Sequence, residues 1–214
     1  MTPEQSSAAA LEVCLLAPVI PVLVIRDIAH ARPLAEALVA GGLPALEVTL
    51  RTPVALEAIR EMAKVPGAHV GVGTLLTPSD VEAAIEAGAR FGVSPGATDV
   101  LLTATEKAGL TMLPGAATAS ESMALLERGY SVQKFFPAEA AGGAKALGAI
   151  GAPLPQVRFC PTGGVSPDNA GQYLALSNTL CVGGSWVAPG DLVKAGDWAG
   201  IEALARDAAA LPRS

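Results

Sequence analysis

The sequence predicts an α/β fold, a single (β/α)8 barrel, and three observations carry this prediction. Short apolar runs rich in β-branched residues alternate with Ala-rich amphipathic stretches. The chain of 214 residues is long enough for one domain with a full core. Aromatic residues make up only 4% of it, so Ala, Val, Leu and Ile must fill that core, which suits parallel strands covered by helices.

Eight segments have the composition of buried strands. In chain order they are Val19–Ile25, Ala45–Arg51, His69–Thr74, Phe91–Ser94, Thr111–Pro114, Ser131–Phe136, Val157–Pro161 and Thr179–Gly183. Helical patterns lie between and after them, among them Arg32–Ala40, Pro53–Lys64, Pro78–Ala87, Val100–Lys107, Ser120–Arg128 and Trp198–Leu211. Eight such units without a break in composition indicate one closed barrel domain over residues 1–214, with a peripheral segment of about residues 1–17. A doubly wound open sheet is the alternative, but its GxGxxG phosphate-binding turn is absent.

Capping residues mark several of the predicted helix starts. Thr77 precedes a proline at the first helical position, and Thr118 with Glu121 has the spacing of a capping box. Ser166 stands in front of a further proline and predicts another start. Glycines follow several of the helical patterns, where a left-handed backbone commonly ends a helix.

Charge and composition exclude several classes of function. The net charge of −6 argues against nucleic-acid binding, which depends on Lys and Arg contacts to phosphates. The apolar run Val13–Ile25 is too short for a membrane span and contains two prolines, and the first residues lack a basic signal region. The three cysteines fit neither a disulfide framework nor a zinc motif, and the two histidines belong to no ligand-spaced group. We therefore expect a cytoplasmic protein with no membrane partner, no metal and no cofactor.

Lys134 is the one lysine of five that falls on a predicted strand. Strand side chains alternate between faces, so Lys134 shares a face with Val132 and Phe136, while Gln133 and Phe135 point the other way. Its position near the carboxyl end of a barrel strand is where such enzymes place their chemistry. A neutral amine there can add to a ketone and form an iminium that withdraws electrons. The alternative is an edge lysine whose ammonium reaches solvent.

Glu47 and Arg51 lie on the second predicted strand, on the face opposite to the apolar residues Leu46 and Val48. The interior face of an ordinary barrel strand is apolar, so opposite charges there are unusual. The two Cα atoms are about 13 Å apart along a strand, so a direct ion pair is strained and separate roles are favoured. Glu47 suits proton transfer, and Arg51 suits the binding of a carboxylate or phosphate.

Two glycine pairs follow the seventh and eighth predicted strands. They are Gly163 with Gly164, and Gly183 with Gly184, the latter followed by Ser185. Glycine lets backbone N–H groups approach a phosphate, and barrel enzymes frequently bind phosphate after these two strands. At the same rim Thr74 could donate to a carboxylate and Pro95 could form an apolar wall, although turn structure alone would explain both.

Six segments together resemble one known family, the 2-keto-3-deoxy-6-phosphogluconate (KDPG) aldolases, which include 4-hydroxy-2-oxoglutarate (KHG) aldolases. The segments are Leu46–Thr52, Gly71–Thr74, Ser94–Gly96, Lys134–Glu139, Val157–Gly164 and Cys181–Trp186. The resemblance covers the chain from about Pro18 to Trp198. It implies a homotrimeric class I aldolase of the Entner–Doudoroff pathway that needs no metal and acts on a phosphorylated 2-oxo acid.

The same resemblance implies a role for each site residue. Lys134 would form the Schiff base and Glu47 would act as the acid and base. Substrate-binding positions would be Arg51, Thr74, Pro95, Phe136, Thr162, Gly163, Gly164, Gly184 and Ser185. The expected reaction cleaves 2-dehydro-3-deoxy-6-phospho-D-gluconate to pyruvate and D-glyceraldehyde 3-phosphate. Cleavage of 4-hydroxy-2-oxoglutarate by the same lysine is the near alternative, and a phosphosugar isomerase or epimerase and a non-catalytic phosphate-binding barrel are more distant ones.

Overall fold

The structure, a computed structural model, describes residues 1–213. Its helices are α1 (Pro3–Leu15), α2 (Ala31–Ala40), α3 (Ala55–Met62), α4 (Pro78–Glu86), α5 (Asp99–Ala108), α6 (Ala119–Arg128), α7 (Gly143–Gly151), α8 (Pro167–Leu174), α9 (Gly190–Ala195) and α10 (Trp198–Ala209). Its strands are β1 (Val19–Leu23), β2 (Ala45–Thr49), β3 (His69–Gly73), β4 (Phe91–Val93), β5 (Thr111–Leu113), β6 (Gly115–Ala116), β7 (Val132–Phe135), β8 (Arg158–Pro161) and β9 (Val182–Gly184). A 3-10 turn over Ile28–His30 precedes α2.

All paired strands run parallel, in two sheets that meet on both sides. One sheet has the order β5-β4-β3-β2-β1-β9 and the other the order β6-β7-β8. Pro114 separates β5 from β6, and isolated bridges join Phe159 to Thr179 and Thr162 to Gly183 next to β8 and β9. The two sheets therefore adjoin through the chain at Pro114 and through the isolated bridges beside β8 and β9. The predicted α/β fold with parallel strands separated by helices is confirmed.

All eight predicted strands differ from the observed ones by one to three residues at an end. Arg51, predicted on the second strand, lies beyond β2, which ends at Thr49. Two further differences change the pairing. The fifth predicted strand, Thr111–Pro114, stops at Leu113, and pairing resumes at Gly115 with β7 as the new partner. Proline has no N–H to donate, so the ladder is interrupted there. The eighth predicted strand, Thr179–Gly183, is shifted to Val182–Gly184, and only an isolated bridge remains at Thr179.

The segment of about residues 1–17 is not peripheral, which corrects the expectation from sequence. It forms α1, which begins with a capping box between Thr2 and Gln5. The buried Ser6 Oγ accepts a hydrogen bond from the N–H of Met112 at 2.8 Å. Ser7 Oγ accepts one from the N–H of Ser131 at 3.0 Å. Because these bonds reach β5 and the start of β7, α1 closes the amino-terminal end of the strands.

Two apolar clusters divide the interior. The larger one lies between strands and helices and includes Leu46 and Val48. The smaller one fills the amino-terminal part of the space enclosed by the strands, here called the lumen. Its members are Ala10, Val13, Cys14, Ile20, Ala45, Phe91, Val93, Leu113, Val132, Cys160, Leu180 and Cys181. The polar residues considered below lie above this cluster, toward the carboxyl ends of the strands. Within residues 1–213, every helix is too short or too polar to cross a membrane.

Candidate active site

Lys134 and Glu47 meet in the lumen, although β7 and β2 belong to different sheets. Lys134 Nζ donates to Glu47 Oε1 at 3.3 Å. The two side chains are only 6% and 4% exposed. The alternation inferred for the sixth predicted strand, Ser131–Phe136, is confirmed, because Phe135 packs among the helices and Val132 joins the lumen cluster. The alternative of a lysine reaching solvent does not hold.

Burial governs the chemistry of this pair. Loss of solvation raises the pKa of Glu47, and the positive charge of Lys134 only partly opposes that rise. A raised pKa brings the carboxyl group closer to exchanging its proton near neutrality. The ring of Phe136 lies 5.0 Å from Lys134 Nζ and excludes water on that side.

Two glycines make room for these side chains. A Cβ on Gly73 of β3 would overlap the Glu47 carboxylate, and a Cβ on Gly183 of β9 would overlap Thr162 Oγ1. Both glycines therefore belong to the site through the space they leave. The sequence analysis did not assign them this role. The alternation of strand side chains could have indicated this role, because both glycines occupy strand positions on the same side as the polar side chains.

Arg51 and Thr74 form the next part of the rim. Arg51 Nε donates to Thr74 Oγ1 at 3.3 Å, while Arg51 itself is exposed. Thr74 is the non-glycine residue with a positive φ, 60°, among residues 1–213. A residue with a branched Cβ in this region is strained, and such strain concentrates at functional sites. Glu47 contacts Lys134 and Arg51 contacts Thr74, so the two charged residues have different partners, and their separate roles stay a prediction.

The predicted anion end is formed by glycine turns. Gly163 and Gly164 have φ values of 102° and 79°, which only glycine adopts without strain. A Cβ on Gly163 would approach the ring of Phe136 to 3.3 Å, so this turn adjoins the wall beside Lys134. Gly184 lies beneath the ring of Trp186, and Ser185 is exposed at the following position.

The structure thus brings most of the predicted site residues to one end of the strands. Pro95 follows β4 and is packed so closely against Gly115 that a Cβ there would overlap its carbonyl group. Gly115 in turn pairs with Lys134 across β6 and β7. Within residues 1–213, no three His, Cys, Asp or Glu side chains are arranged to hold a metal ion.

A family model described as KDPG and KHG aldolase matches residues 11–204 of this chain. The chain is 54% identical over 192 residues to the KHG/KDPG aldolase of Escherichia coli (strain K12), covering 89% of this chain and 90% of that protein. It is 53% identical over 194 residues to the 2-dehydro-3-deoxy-phosphogluconate aldolase of Pseudoalteromonas atlantica, covering 90% of each.

Solved structures give the same result. The 2-keto-3-deoxy-6-phosphogluconate aldolase of Zymomonas mobilis ZM4 with 3-phosphoglycerate superposes with a TM-score of 0.90 at 53% identity, covering 95% of this chain and 96% of that one. The KDPG aldolase of Legionella pneumophila, with pyruvate captured at low pH as a covalent carbinolamine intermediate, has a TM-score of 0.91 at 47% identity, covering 94% and 98%.

Proposed function

The chain belongs to the KDPG and KHG aldolase family, and we propose that it is a class I aldolase that cleaves 2-dehydro-3-deoxy-6-phospho-D-gluconate to pyruvate and D-glyceraldehyde 3-phosphate. The observation that carries the proposal is the buried contact of 3.3 Å between Lys134 Nζ and Glu47 Oε1 in the lumen. A lysine without solvent and with an adjacent carboxyl group has both the nucleophile and the acid that a Schiff-base reaction requires. The carbinolamine of pyruvate in the Legionella relative supports the same chemistry.

The first steps form the covalent intermediate. Neutral Lys134 adds to C2 of the 2-oxo acid, and the resulting carbinolamine loses its hydroxyl group as water. Glu47 supplies the proton for that departure, directly or through a water molecule. The iminium that remains is the electron acceptor of the reaction. Arg51, with Thr74 beside it, and Thr162 are suited to hold the substrate carboxylate next to C2.

Cleavage follows from the iminium. Glu47, now a carboxylate, takes the proton of the C4 hydroxyl group. The C3–C4 bond breaks, its electrons pass into the iminium to give an enamine, and D-glyceraldehyde 3-phosphate departs. The enamine takes a proton at C3, and water hydrolyses the new iminium to release pyruvate and free Lys134. The glycine turns at Gly163 and Gly184 with Ser185 would hold the phosphate, and Pro95 and Phe136 would form the apolar walls.

The iminium supplies the electron sink that a metal ion supplies in other aldolases, so we propose a reaction that needs no metal. We further propose that the chain acts in the cytoplasm as a homotrimer. The exposed apolar side chains Leu76, Ile85 and Val100 lie on or beside α4 and α5 and support association of copies. Sedimentation analysis tests the trimer, and full activity after exhaustive chelation tests the independence from metal.

The second candidate is cleavage of 4-hydroxy-2-oxoglutarate to pyruvate and glyoxylate. The Escherichia coli relative, named KHG/KDPG aldolase, favours it. The two functions are separated by comparing kcat/KM of the purified chain for the two substrates, with pyruvate release as the common readout. We expect the phosphorylated substrate to have the higher kcat/KM. A higher value for 4-hydroxy-2-oxoglutarate would reverse the assignment, and release of pyruvate from neither would refute both.

A further inference from the structure

A tyrosine–glutamate pair joins α8 to the loop that follows β7. Tyr173 of α8 is fully buried, and its hydroxyl group donates to Glu139 Oε1. Glu139 lies in the loop that follows β7, five residues after Lys134. Neither Tyr173 nor Glu139 has a role in the proposed reaction.

Glu139 is also bonded to the anion loop, defined here as Gly163–Gly164, the glycine pair proposed to hold the phosphate. The N–H of Glu139 donates to the carbonyl oxygen of Gly163 at 3.0 Å, and that of Ala138 donates to Thr162 at 2.8 Å. The Cβ and Cγ atoms of Glu139 lie so close to Gly164 that a side chain there would overlap them. Through Glu139, the loop that follows β7 and carries Phe136 is attached to the loop predicted to bind phosphate.

We propose that Glu139 and Tyr173 are positioning residues that hold the anion loop at a fixed distance from Lys134, and thereby set the affinity for a substrate bearing a phosphate at the end remote from its keto group. This inference rests on the proposed function. Tyr173 is fixed in α8, which begins directly after the anion loop, so its hydroxyl group ties Glu139 to the helix beneath that loop.

Charge gives the pair a second effect on the same property. Glu139 is an exposed residue beside the anion loop, and its carboxylate, if released from Tyr173, would repel an incoming phosphate. This repulsion adds to the loss of positioning in Tyr173→Phe and is absent from Glu139→Ala, which tests the positioning alone. The bond from Tyr173 holds that carboxylate against α8. Burial raises the pKa of the Tyr173 hydroxyl group, and the neighbouring Glu139 raises it further, so the group remains a donor.

The chain offers a matched control for the test. It has two tyrosines, and each donates to a glutamate. Tyr130 is also fully buried, and its hydroxyl group donates to Glu106 at 3.2 Å. Tyr130 precedes β7 and therefore lies at the end of that strand away from the anion loop. Tyr130→Phe and Tyr173→Phe therefore remove the same atom from comparable pairs at opposite ends of the strands.

The experiment measures kcat and KM for 2-dehydro-3-deoxy-6-phospho-D-gluconate, and exchange of the pyruvate methyl protons in D2O, which needs only the Lys134 end. We expect Tyr173→Phe and Glu139→Ala to raise KM for the phosphorylated substrate roughly five- to tenfold, as loss of one hydrogen bond to a charged group would. Pyruvate exchange should stay within about twofold of the unaltered chain, less than half a kcal/mol. Glu139→Gln keeps an oxygen acceptor and should retain the original KM, as should Tyr130→Phe.

Equal loss of pyruvate exchange and of cleavage in Tyr173→Phe would show a merely structural role and overturn the proposal, as would an unchanged KM in both Tyr173→Phe and Glu139→Ala. Failure of the proposed function is a different result, namely no cleavage by the unaltered chain. In that case inorganic phosphate is titrated instead. Its Kd must rise in Tyr173→Phe and not in Tyr130→Phe, and equal values would refute the positioning role.

Discussion

Glu47 and Lys134 are 87 residues apart in the sequence, yet the carboxylate of one accepts a hydrogen bond from the amine of the other inside the lumen. The contact exists because β2 and β7 both direct alternate side chains inward at the same height. Both side chains are almost completely buried and lack solvation by water, so their mutual contact offsets part of the free-energy cost of burying two polar groups. Removing either partner therefore changes both the chemistry and the charge balance of the site.

The raised pKa of Glu47 predicts the acid limb of the activity profile. Burial favours the protonated carboxyl group, so the carboxylate needed as a base is lost at a higher pH than the ordinary glutamate value of 4.5. We expect kcat/KM to fall on acidification with a midpoint above that value. Glu47→Gln should reduce kcat by at least about 100-fold at every pH. A midpoint at or below 4.5 in the unaltered chain, or a fully active amide variant, would contradict this assignment.

Gly73 is predicted to be essential because of the space that it leaves. In Gly73→Ala the new methyl group would overlap the Glu47 carboxylate and displace it from Lys134. A displacement of about 1 Å can cost on the order of 100-fold in rate, so kcat should fall by 10- to 100-fold. Gly171→Ala is the matched control, because nothing lies within 4 Å of its new Cβ on the exposed face of α8. If both variants kept the original kcat, the tight fit at Gly73 would have no catalytic meaning.

Ser6 is predicted to stabilise the fold from a segment that sequence reasoning had placed at the periphery. Its buried hydroxyl group is the acceptor for the N–H of Met112, and Ser6→Ala would leave that N–H without a partner. We expect the free energy of unfolding to fall by about 1–3 kcal/mol. Ser120→Ala, at an exposed position of α6, should change it by less than about 0.5 kcal/mol. Equal denaturation midpoints for the two variants would show that α1 contributes little.

Most of the fold could be predicted from the sequence because its signals are local. The Thr77 and Thr118 caps were read correctly, since a cap depends on residues three positions apart. The α1 helix was missed for a different reason. The capping box at Thr2 is visible in the sequence. The free energy that α1 gains by packing onto β5 and β7, however, depends on a cavity that exists only after the strands have assembled.

The candidate site also has features that the sequence predicts and features that depend on the assembled strands. The strand period identified Glu47 and Lys134 as inward-facing polar groups, but it could not show that their strands lie on opposite sides of one lumen. The roles of Gly73 and Gly183 depend on which side chain of a neighbouring strand reaches each of them, Glu47 in the first case and Thr162 in the second, and that is fixed only once the strands have assembled. The link from Tyr173 in α8 to Glu139 in the loop after β7 joins residues 34 positions apart and has no periodic signal.

Hydride trapping of the enzyme with pyruvate tests the central claim most directly. The purified chain is incubated with pyruvate and borohydride, digested and mapped by mass spectrometry, with the exposed Lys107→Met as a control variant and Lys134→Met as the negative one. Our account predicts one reduced adduct on the peptide that contains Lys134, loss of activity in proportion to its formation, unchanged labelling in Lys107→Met and none in Lys134→Met. Continued turnover with the Lys134 peptide unmodified, or an adduct on a different lysine, would contradict it.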